Sequence, residues 1–299
     1  MKNENVKALE HKKSKAILFM IISGLGYALM NISVKLSGDI PPLEKVFFRN
    51  IVCAIISAVL ILKTNGTFIG RKENRKFLMG RAIIGTFGTW CNFYAITHLI
   101  VADASMLNQM SPFFVMIFCF IFLKEKLKPV HIICILVALF GVWLISDPKF
   151  SSAFIPYLSG IFCAVFDAAA YTFIRAMKNG EHDYTIVFVF STTAVIMTTP
   201  FMIPQFKMFN AEELFWLLAI GVFAAIGQFA LTFAYEAVQA KEVSIFGYSQ
   251  VIFTAIIGFF LFGNIPNDIA IAGYILILLA ALVIFLADRR ETKEKLIKN

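Results

Sequence analysis

The run PYLSGIFCAVFDAAAYTFIRAM, residues Pro156–Met177, decides the fold, because a carboxylate, Asp167, stands in the middle of a long apolar segment. A helix that crosses the hydrocarbon core of a bilayer needs about 20 mainly apolar residues, and this run has that length. An ionised aspartate at the bilayer centre costs about 2.5–3.5 kcal/mol on insertion scales, so such a group normally faces a partner or a water-filled cavity. The run therefore predicts a membrane protein with a polar interior path, in which Asp167 is the first functional candidate.

The rest of the chain extends this pattern in both directions. Hydrophobic residues make up 59% of the 299 residues, charged residues make up 15%, and the mean hydropathy is +0.79, whereas a soluble domain has about 25% charged residues. Short polar loops separate about ten apolar spans, each close to bilayer length. The sequence predicts an all-α membrane protein with no separate soluble domain and with spans at Ala16–Lys35, Leu43–Leu62, Phe77–Leu99, Asp103–Leu123, Val130–Ser146, Pro156–Met177, Tyr184–Ile203, Leu214–Tyr235, Glu242–Phe262 and Ile269–Ala287.

The placement of the basic residues predicts the orientation in the membrane. The net charge of +8 is concentrated before the first span, after the second, fourth and sixth spans, and in the tail, while loops of opposite parity hold few basic residues, mainly Lys149 and Lys207. Cytoplasmic loops carry the excess of Lys and Arg. We therefore expect a multi-pass protein of the cytoplasmic (inner) membrane with both termini in the cytoplasm. The first apolar run is long and followed by further spans, so we expect it to be retained as a membrane span rather than removed as a signal peptide. Because the basic residues follow the membrane spans in this way, nucleic-acid binding is not expected.

The sequence contains no pattern that predicts a cofactor, a metal or a disulfide framework. The five cysteines lie inside apolar spans and form no CxxC pair, which favours small buried hydrophobic side chains. The four histidines form no HExxH pattern, and neither GxSxG nor the nucleotide-binding GxxxxGK[ST] occurs. We expect no cofactor, no metal and no ATP-driven pumping by this chain alone.

The two halves of the chain resemble each other at an offset of 139 residues. Among the identities are Gly88 with Gly227, Ala95 with Ala234, Ser105 with Ser244, and Phe114 with Phe253. A repeat of five spans has an odd count, so the second copy enters the membrane from the opposite side. Inverted repeats are typical of secondary transporters, with the substrate site near mid-membrane between the halves. The sequence thus predicts two inverted five-helix repeats, residues 1–149 and 150–299.

Several short motifs, taken in order and spacing, resemble the EamA-type members of the drug/metabolite transporter superfamily over Ala16–Ala287. The motifs are FRN at 48–50, FYA at 93–95, SPFF at 111–114, FLKEK at 122–126 and GVWLI at 141–145. The resemblance implies ten helices and the movement of small metabolites, often by export. The glutamate that the family has in the second half is replaced here by Asn264, so the resemblance gives Glu125 no symmetric partner.

Polar residues four apart on a helix share one face and form two corresponding stripes. Tyr27 and Asn31 lie with Lys35 in the first span, and Asp167 and Tyr171 lie with Arg175 in the sixth, at an offset of 140. An inward polar face in each repeat is one interpretation. Hydrogen bonding between helices, with Lys35 and Arg175 reaching the membrane interface, is the other.

Further polar residues at mid-membrane depth complete the candidate site. Asp103 suits a helix N-cap, and Pro112 predicts a bend in the fourth span. Asp167, Arg49 and Arg81 are the coupling or gating candidates. The residues predicted to bind substrate are Tyr27, Asn31, Trp90, Asn92, Tyr94, Asn108, Gln109, Asp167, Tyr171, Gln228, Tyr248 and Gln250.

These observations favour a secondary active transporter that works by alternating access. The expected substrate is a small polar or amphipathic metabolite (an amino acid, amine, nucleoside or vitamin-like molecule), and the other expected partner is the lipid bilayer. Asp167 could bind a substrate amine, or it could take up a proton, with protons as the coupling ion. The alternatives are an integral-membrane enzyme, for which no catalytic motif is present, a membrane sensor or scaffold, which would not need deep polar stripes, and a channel.

Overall fold

A computed structural model describes residues 2–124, 127–145, 154–177, 181–237, 244–263 and 266–298. Within these ranges all regular secondary structure is helical. The α-helices are α1 Lys2–Leu36, α2 Pro42–Lys63, α3 Arg75–His98, α4 Val101–Asn108, α5 Ser111–Leu123, α6 Pro129–Ile145, α7 Phe154–Ala176, α8 Asp183–Met202, α9 Ala211–Ala237, α10 Ser249–Phe262 and α11 Asp268–Lys298. Helices α4 and α5 together make one span, Val101–Leu123, so the described residues form ten helices in the predicted order.

Among the residues that the structure describes, eight spans are long and apolar enough to cross a membrane: α1, α2, α4 with α5, and α7 to α11. Helix α6 is apolar but shorter, and α3 carries more polar residues. Large apolar side chains cover the outer surface, and Phe122 and Phe260 are 69% and 78% exposed. Extended apolar surfaces of this kind mark contact with a membrane or partner rather than with water.

The fourth span is broken rather than merely bent. Helix α4 ends at Asn108, and α5 begins at Ser111 with Pro112 in its first turn. Proline is tolerated there because the first helical N–H groups have no partner within the helix. The bend predicted from Pro112 is therefore confirmed and takes the form of a break at Gln109 and Met110. In the second half a short 3-10 helix, Ser244–Tyr248, precedes α10.

Helix boundaries in the two halves recur at the offset found in the sequence. Helices α2, α3 and α5 end at residues 63, 98 and 123, and α8, α9 and α10 end at 202, 237 and 262, each 139 positions later. Helices α6 and α11 begin at 129 and 268. Even the left-handed residues that end α5 and α10 correspond, because Lys124 has φ 56° and Gly263 has φ 65°.

Packing between the halves is reciprocal. Helix α1 packs on α9, and its counterpart α7 packs on α3. Helix α1 also contacts α10 while α7 contacts α5, and α2 contacts α9 while α3 contacts α8. The remaining large interfaces, α2 with α8 and α6 with α11, join equivalent helices. This packing places α1, α3, α7 and α9 in the middle of the molecule, together with the broken fourth span, α10 and the short helix Ser244–Tyr248.

Candidate functional site

Asp167 lies in the middle of α7 and contacts the end of α4. The Asn108 side-chain Nδ2 donates to Asp167 Oδ2 at 2.8 Å, and Cys163 Sγ lies 3.6 Å from the same oxygen, one turn earlier on α7. Asn108 is the last residue of α4, so the carboxylate lies beside the helix break. Asp167 is only partly buried.

Helix α3 approaches the Asp167 carboxylate because Gly88 has no side chain. A Cβ added at Gly88 would lie 2.6 Å from Asp167 Oδ1 and 3.3 Å from Phe166 Cβ. The equivalent glycine, Gly227 on α9, stands against the Tyr27 ring, where an added Cβ would lie 3.0 Å from the nearest ring carbon. Tyr27 and Asp167 therefore occupy equivalent places, each facing a glycine of the opposite half.

The polar stripe of the first span contacts three different elements. The Tyr27 hydroxyl donates to Gln228 Oε1 at 2.8 Å, and Asn31 Nδ2 donates to Ser105 Oγ at 3.0 Å. Lys35 Nζ donates to the backbone carbonyls of residues 97 and 99 at 2.9 and 3.1 Å, at the end of α3. Lys35 thus stabilises the end of α3, whereas Tyr27 and Asn31 lie at the contacts between α1, α4 and α9.

The two interrupted spans meet each other through hydrogen bonds. Gln109 Nε2 donates to the Gly247 carbonyl at 2.7 Å, and the Tyr248 hydroxyl donates to the Gln109 carbonyl at 3.2 Å. Both Gln109 and Tyr248 were predicted site residues, and they stand 139 positions apart. Gln250 is buried in the first turn of α10. Carbonyl groups freed by the breaks are thus satisfied across the interface between the halves.

Two predicted gating residues, Arg49 and Arg81, lie on the same aromatic ring. The Arg81 Cζ atom is 4.0 Å and the Arg49 Cζ atom 5.7 Å from the Phe190 ring centroid. Both arginines are buried, at 7% and 9% exposure for Arg81 and Arg49. Asp167 is near enough to interact electrostatically with both guanidinium groups. Phe190 itself was not predicted, because an apolar residue in an apolar span carries no signal of such a contact.

The structure places the remaining candidates on α3 and α7. Trp90 Nε1 donates to Thr198 Oγ1 at 2.9 Å between α3 and α8. The Tyr94 ring lies on the His98 ring with centroids 4.2 Å apart. Asn92 is half-buried on α3, and Tyr171 is 39% exposed.

The interpretation of Asp103 as a helix cap is wrong. Helix α4 begins at Val101, and its N-cap residue is Ile100 with no side-chain cap. Asp103 is instead buried and accepts hydrogen bonds from the hydroxyls of Tyr157, at 3.1 Å, and Tyr274. It therefore joins α4 to α7 and α11. Glu125, Glu242 and Asn264 lie outside the described residues.

No cluster of three or more His, Cys, Asp or Glu side chains that could hold a metal ion occurs in the ranges that the structure describes. The polar groups near Asp167 are amides, phenols and guanidinium groups. Such groups can form hydrogen bonds with a polar organic molecule and can neutralise its charges.

Comparison with known proteins identifies relatives over nearly the full chain. The model of the EamA-like transporter family matches residues 14–147 and 154–286, once in each half. The pseudopaline exporter of Pseudomonas aeruginosa strain UCBPP-PA14 is 33% identical over 271 residues, which cover 90% of this chain and 95% of the exporter. Solute carrier family 35 member G1 of Homo sapiens is 27% identical, covering 86% of this chain and 75% of that protein.

A more distant relative is named for a different substrate, and one solved structure shares the fold. The riboflavin transporter of Brucella anthropi is 23% identical, with 90% of this chain and 98% of that protein covered. A crystal structure with 17% sequence identity superposes with a TM-score of 0.64 and covers 93% of this chain and 99% of its own. At that identity the structural likeness concerns the fold alone.

Proposed function

Since the chain belongs to the EamA-like transporter family and is a multi-pass membrane protein, we propose that it is a secondary active transporter. It moves a small polar or amphipathic metabolite across the cytoplasmic membrane by alternating access. The observation that carries the mechanism is the reciprocal packing of the two halves. Each large interface between them either has a counterpart or joins equivalent helices.

The proposed architecture is a pair of inverted five-helix repeats, residues 1–149 and 150–299. Helix ends 139 residues apart support it, and so does the short helix that precedes α5 in one half and α10 in the other. Two repeats of similar structure give two related conformations, in which a central site opens to opposite sides.

Contacts between loops support the proposed topology. Glu181, before α8, accepts hydrogen bonds from the Arg71 backbone N–H and from Asn74 Nδ2, both at 2.9 Å. The loop after α2 and the residue Glu181 before α8 therefore lie at the same face, which the charge pattern predicts to be cytoplasmic. Glu44, at the start of α2, accepts from the Lys207 N–H at 3.2 Å, and both residues belong to the opposite face. Both termini are then cytoplasmic.

Asp167 is the proposed centre of the site. Its carboxylate is held by one amide and one thiol, and Oδ1 faces α3 where Gly88 leaves room. A substrate amine that bound there would have to replace the Asn108 amide or separate α3 from α7. Proton uptake by Asp167 is the other role, and it would link transport to the proton gradient. Tyr27, Gln109, Gln228 and Tyr248, at the contacts between halves, are the proposed neighbours that change partners during transport.

The proposed direction is export. The relative that is 33% identical is an exporter, and its alignment covers both halves of this chain. The distant riboflavin transporter is consistent with a common scaffold that takes different small molecules.

Exchange by reconstituted protein tests the proposed function. We expect a thermal-shift screen of amines, amino acids, nucleosides and vitamins to identify a ligand. The rate of uptake of the labelled ligand into proteoliposomes should saturate as its external concentration rises. Unlabelled ligand loaded inside the proteoliposomes should increase that rate. Liposomes without protein are the control. A conductance without stimulation would instead indicate a channel, and the absence of flux for every compound in the panel would contradict the transport function.

A further inference from the structure

The aromatic ring of Phe190 lies inside the helix bundle. Two buried arginines, one from each of two neighbouring helices, lie near it. Phe190 on α8 contacts Arg81 of α3 and Arg49 of α2. The guanidinium of Arg81, at 4.0 Å from the ring centroid, is within the range of a cation–π interaction, as is that of Arg49 at 5.7 Å. The three residues come from both halves of the chain, so relative movement of the halves would alter the arrangement.

Each guanidinium group has at least one nitrogen without a hydrogen-bond partner in the described part of the chain. Among the residues that the structure describes, no acceptor lies within hydrogen-bond distance of Arg81 Nε or Nη1, or of Arg49 Nε. Arg49 Nη1 donates to Asn50 Oδ1 at 3.1 Å. A buried cation is normally paired or hydrogen-bonded, because removing it from water without compensation costs several kcal/mol. The Phe190 ring supplies part of this compensation.

The charged groups around Phe190 indicate which kind of ligand would fit there. In the described part of the chain, Asp167 is a carboxylate close enough to feel the charge of both arginines, and Tyr27 and Tyr171 lie near Arg81. Two buried guanidinium groups and one carboxylate lie in this part of the membrane interior, so a ligand that carries both a carboxylate and an amine can place each of its charged groups opposite a group of the other sign. A phosphate would pair with the arginines but would leave the Asp167 carboxylate without a group of opposite charge on the ligand.

We propose that Arg81 and Arg49 form the binding subsite for a carboxylate of the transported molecule, and that Asp167 faces its amine. This inference rests on the proposed function and adds the substrate class, a small zwitterion of the amino-acid type. The planar guanidinium fits a carboxylate through two parallel N–H···O bonds. Phe190 contacts both guanidinium groups, and the nitrogens without a partner among the described residues, Arg81 Nε and Nη1 and Arg49 Nε, are the proposed donors to the ligand.

Matched compounds test the carboxylate subsite directly. The probes are L-amino acids, each paired with its amide and with the amine that lacks the carboxylate, and the readout is the melting temperature of the purified protein as a function of probe concentration. We expect at least one acid to stabilise the wild type at lower concentration than its amide. Arg81→Gln should weaken the apparent affinity for that acid at least about tenfold and leave the amide unchanged, because one charge-assisted pair is lost.

Control variants separate the subsite from general effects of charge. Arg75→Gln removes an exposed arginine from the same helix and should retain the preference for the acid, and Arg81→Lys should retain a reduced preference. If Arg81→Gln does not fold, Arg49→Gln serves in its place with the same expected loss. Equal stabilisation by acids and amides, or an acid preference that survives in the variant, overturns the subsite. If an amine or neutral solute is still exchanged in proteoliposomes, the proposed function stands without the subsite.

Discussion

Asparagine in place of Asp167 is expected to lower the rate of exchange in proteoliposomes by about 10- to 100-fold, since a hydrogen bond to a charged group contributes about 1.5–3 kcal/mol. The substitution keeps the shape of the side chain that Asn108 contacts at 2.8 Å and removes only the charge. The protein should therefore still fold, which size-exclusion chromatography will check. Asp39→Asn, at an exposed carboxylate in the loop after α1, is the matched control and should transport normally.

The same variant distinguishes the two roles of Asp167. If the carboxylate binds a substrate amine, Asp167→Asn abolishes binding at every pH. If it carries the coupling proton, the variant still binds and exchanges substrate but loses accumulation driven by a proton gradient, and in that case the large effect appears in accumulation rather than in exchange. Normal exchange together with normal accumulation in the variant would remove Asp167 from the mechanism.

Valine at Gly141 or Gly273 is expected to destabilise the protein more than any other change considered, because these glycines let α6 and α11 touch. A Cβ added at Gly141 would lie 2.8 Å from the Gly273 carbonyl oxygen, and one at Gly273 would lie 2.5 Å from the Gly141 carbonyl oxygen. Backbone atoms cannot move aside as a side chain can, so the helices must separate. Overpacking typically costs about 1–3 kcal/mol, and a valine at a backbone contact should reach or exceed the upper end.

Gly258→Ala on α10 is the control for helix packing. An added Cβ there meets no atom within 4 Å, and alanine is a better helix former by about 1 kcal/mol. We expect an unchanged or higher melting temperature in mild detergent for Gly258→Ala, and a clear decrease for either valine variant. A wild-type melting temperature in Gly141→Val or Gly273→Val would show that the close contact of α6 and α11 is not needed.

Local sequence information predicts the helices well in this chain, because apolar run length and polar loops are properties of neighbouring residues. The span predicted at Leu43–Leu62 is observed as Pro42–Lys63, and that at Val130–Ser146 as Pro129–Ile145. Pro112 likewise indicated the interruption of the fourth span, since its effect is on its own backbone.

Contacts between helices that are far apart in the sequence were harder to predict. Asp103 resembled a cap because it stands at the start of an apolar run, but its partners, Tyr157 and Tyr274, come from α7 and α11. The position of Phe190 beside Arg49 and Arg81 also depends on how α2, α3 and α8 pack. By contrast, the cost of burying a charge predicted that Asp167 would have a polar partner. The sequence did not identify that partner as Asn108, which was predicted only as a separate site residue.

Cross-linking of the two halves at one face tests the alternating-access account most directly. Asn74 and Glu181 are in hydrogen-bond contact, with Asn74 Nδ2 2.9 Å from Glu181 Oε1, and they belong to opposite proposed repeats. Both would be changed to cysteine in a functional background without the five native cysteines, then joined with a short bifunctional methanethiosulfonate reagent. The account predicts that exchange is lost on cross-linking, returns when a reductant cleaves the link, and persists in the treated Asn74→Cys single variant. Undiminished exchange by the fully cross-linked protein would contradict it, because the two halves would then not need to separate at this face.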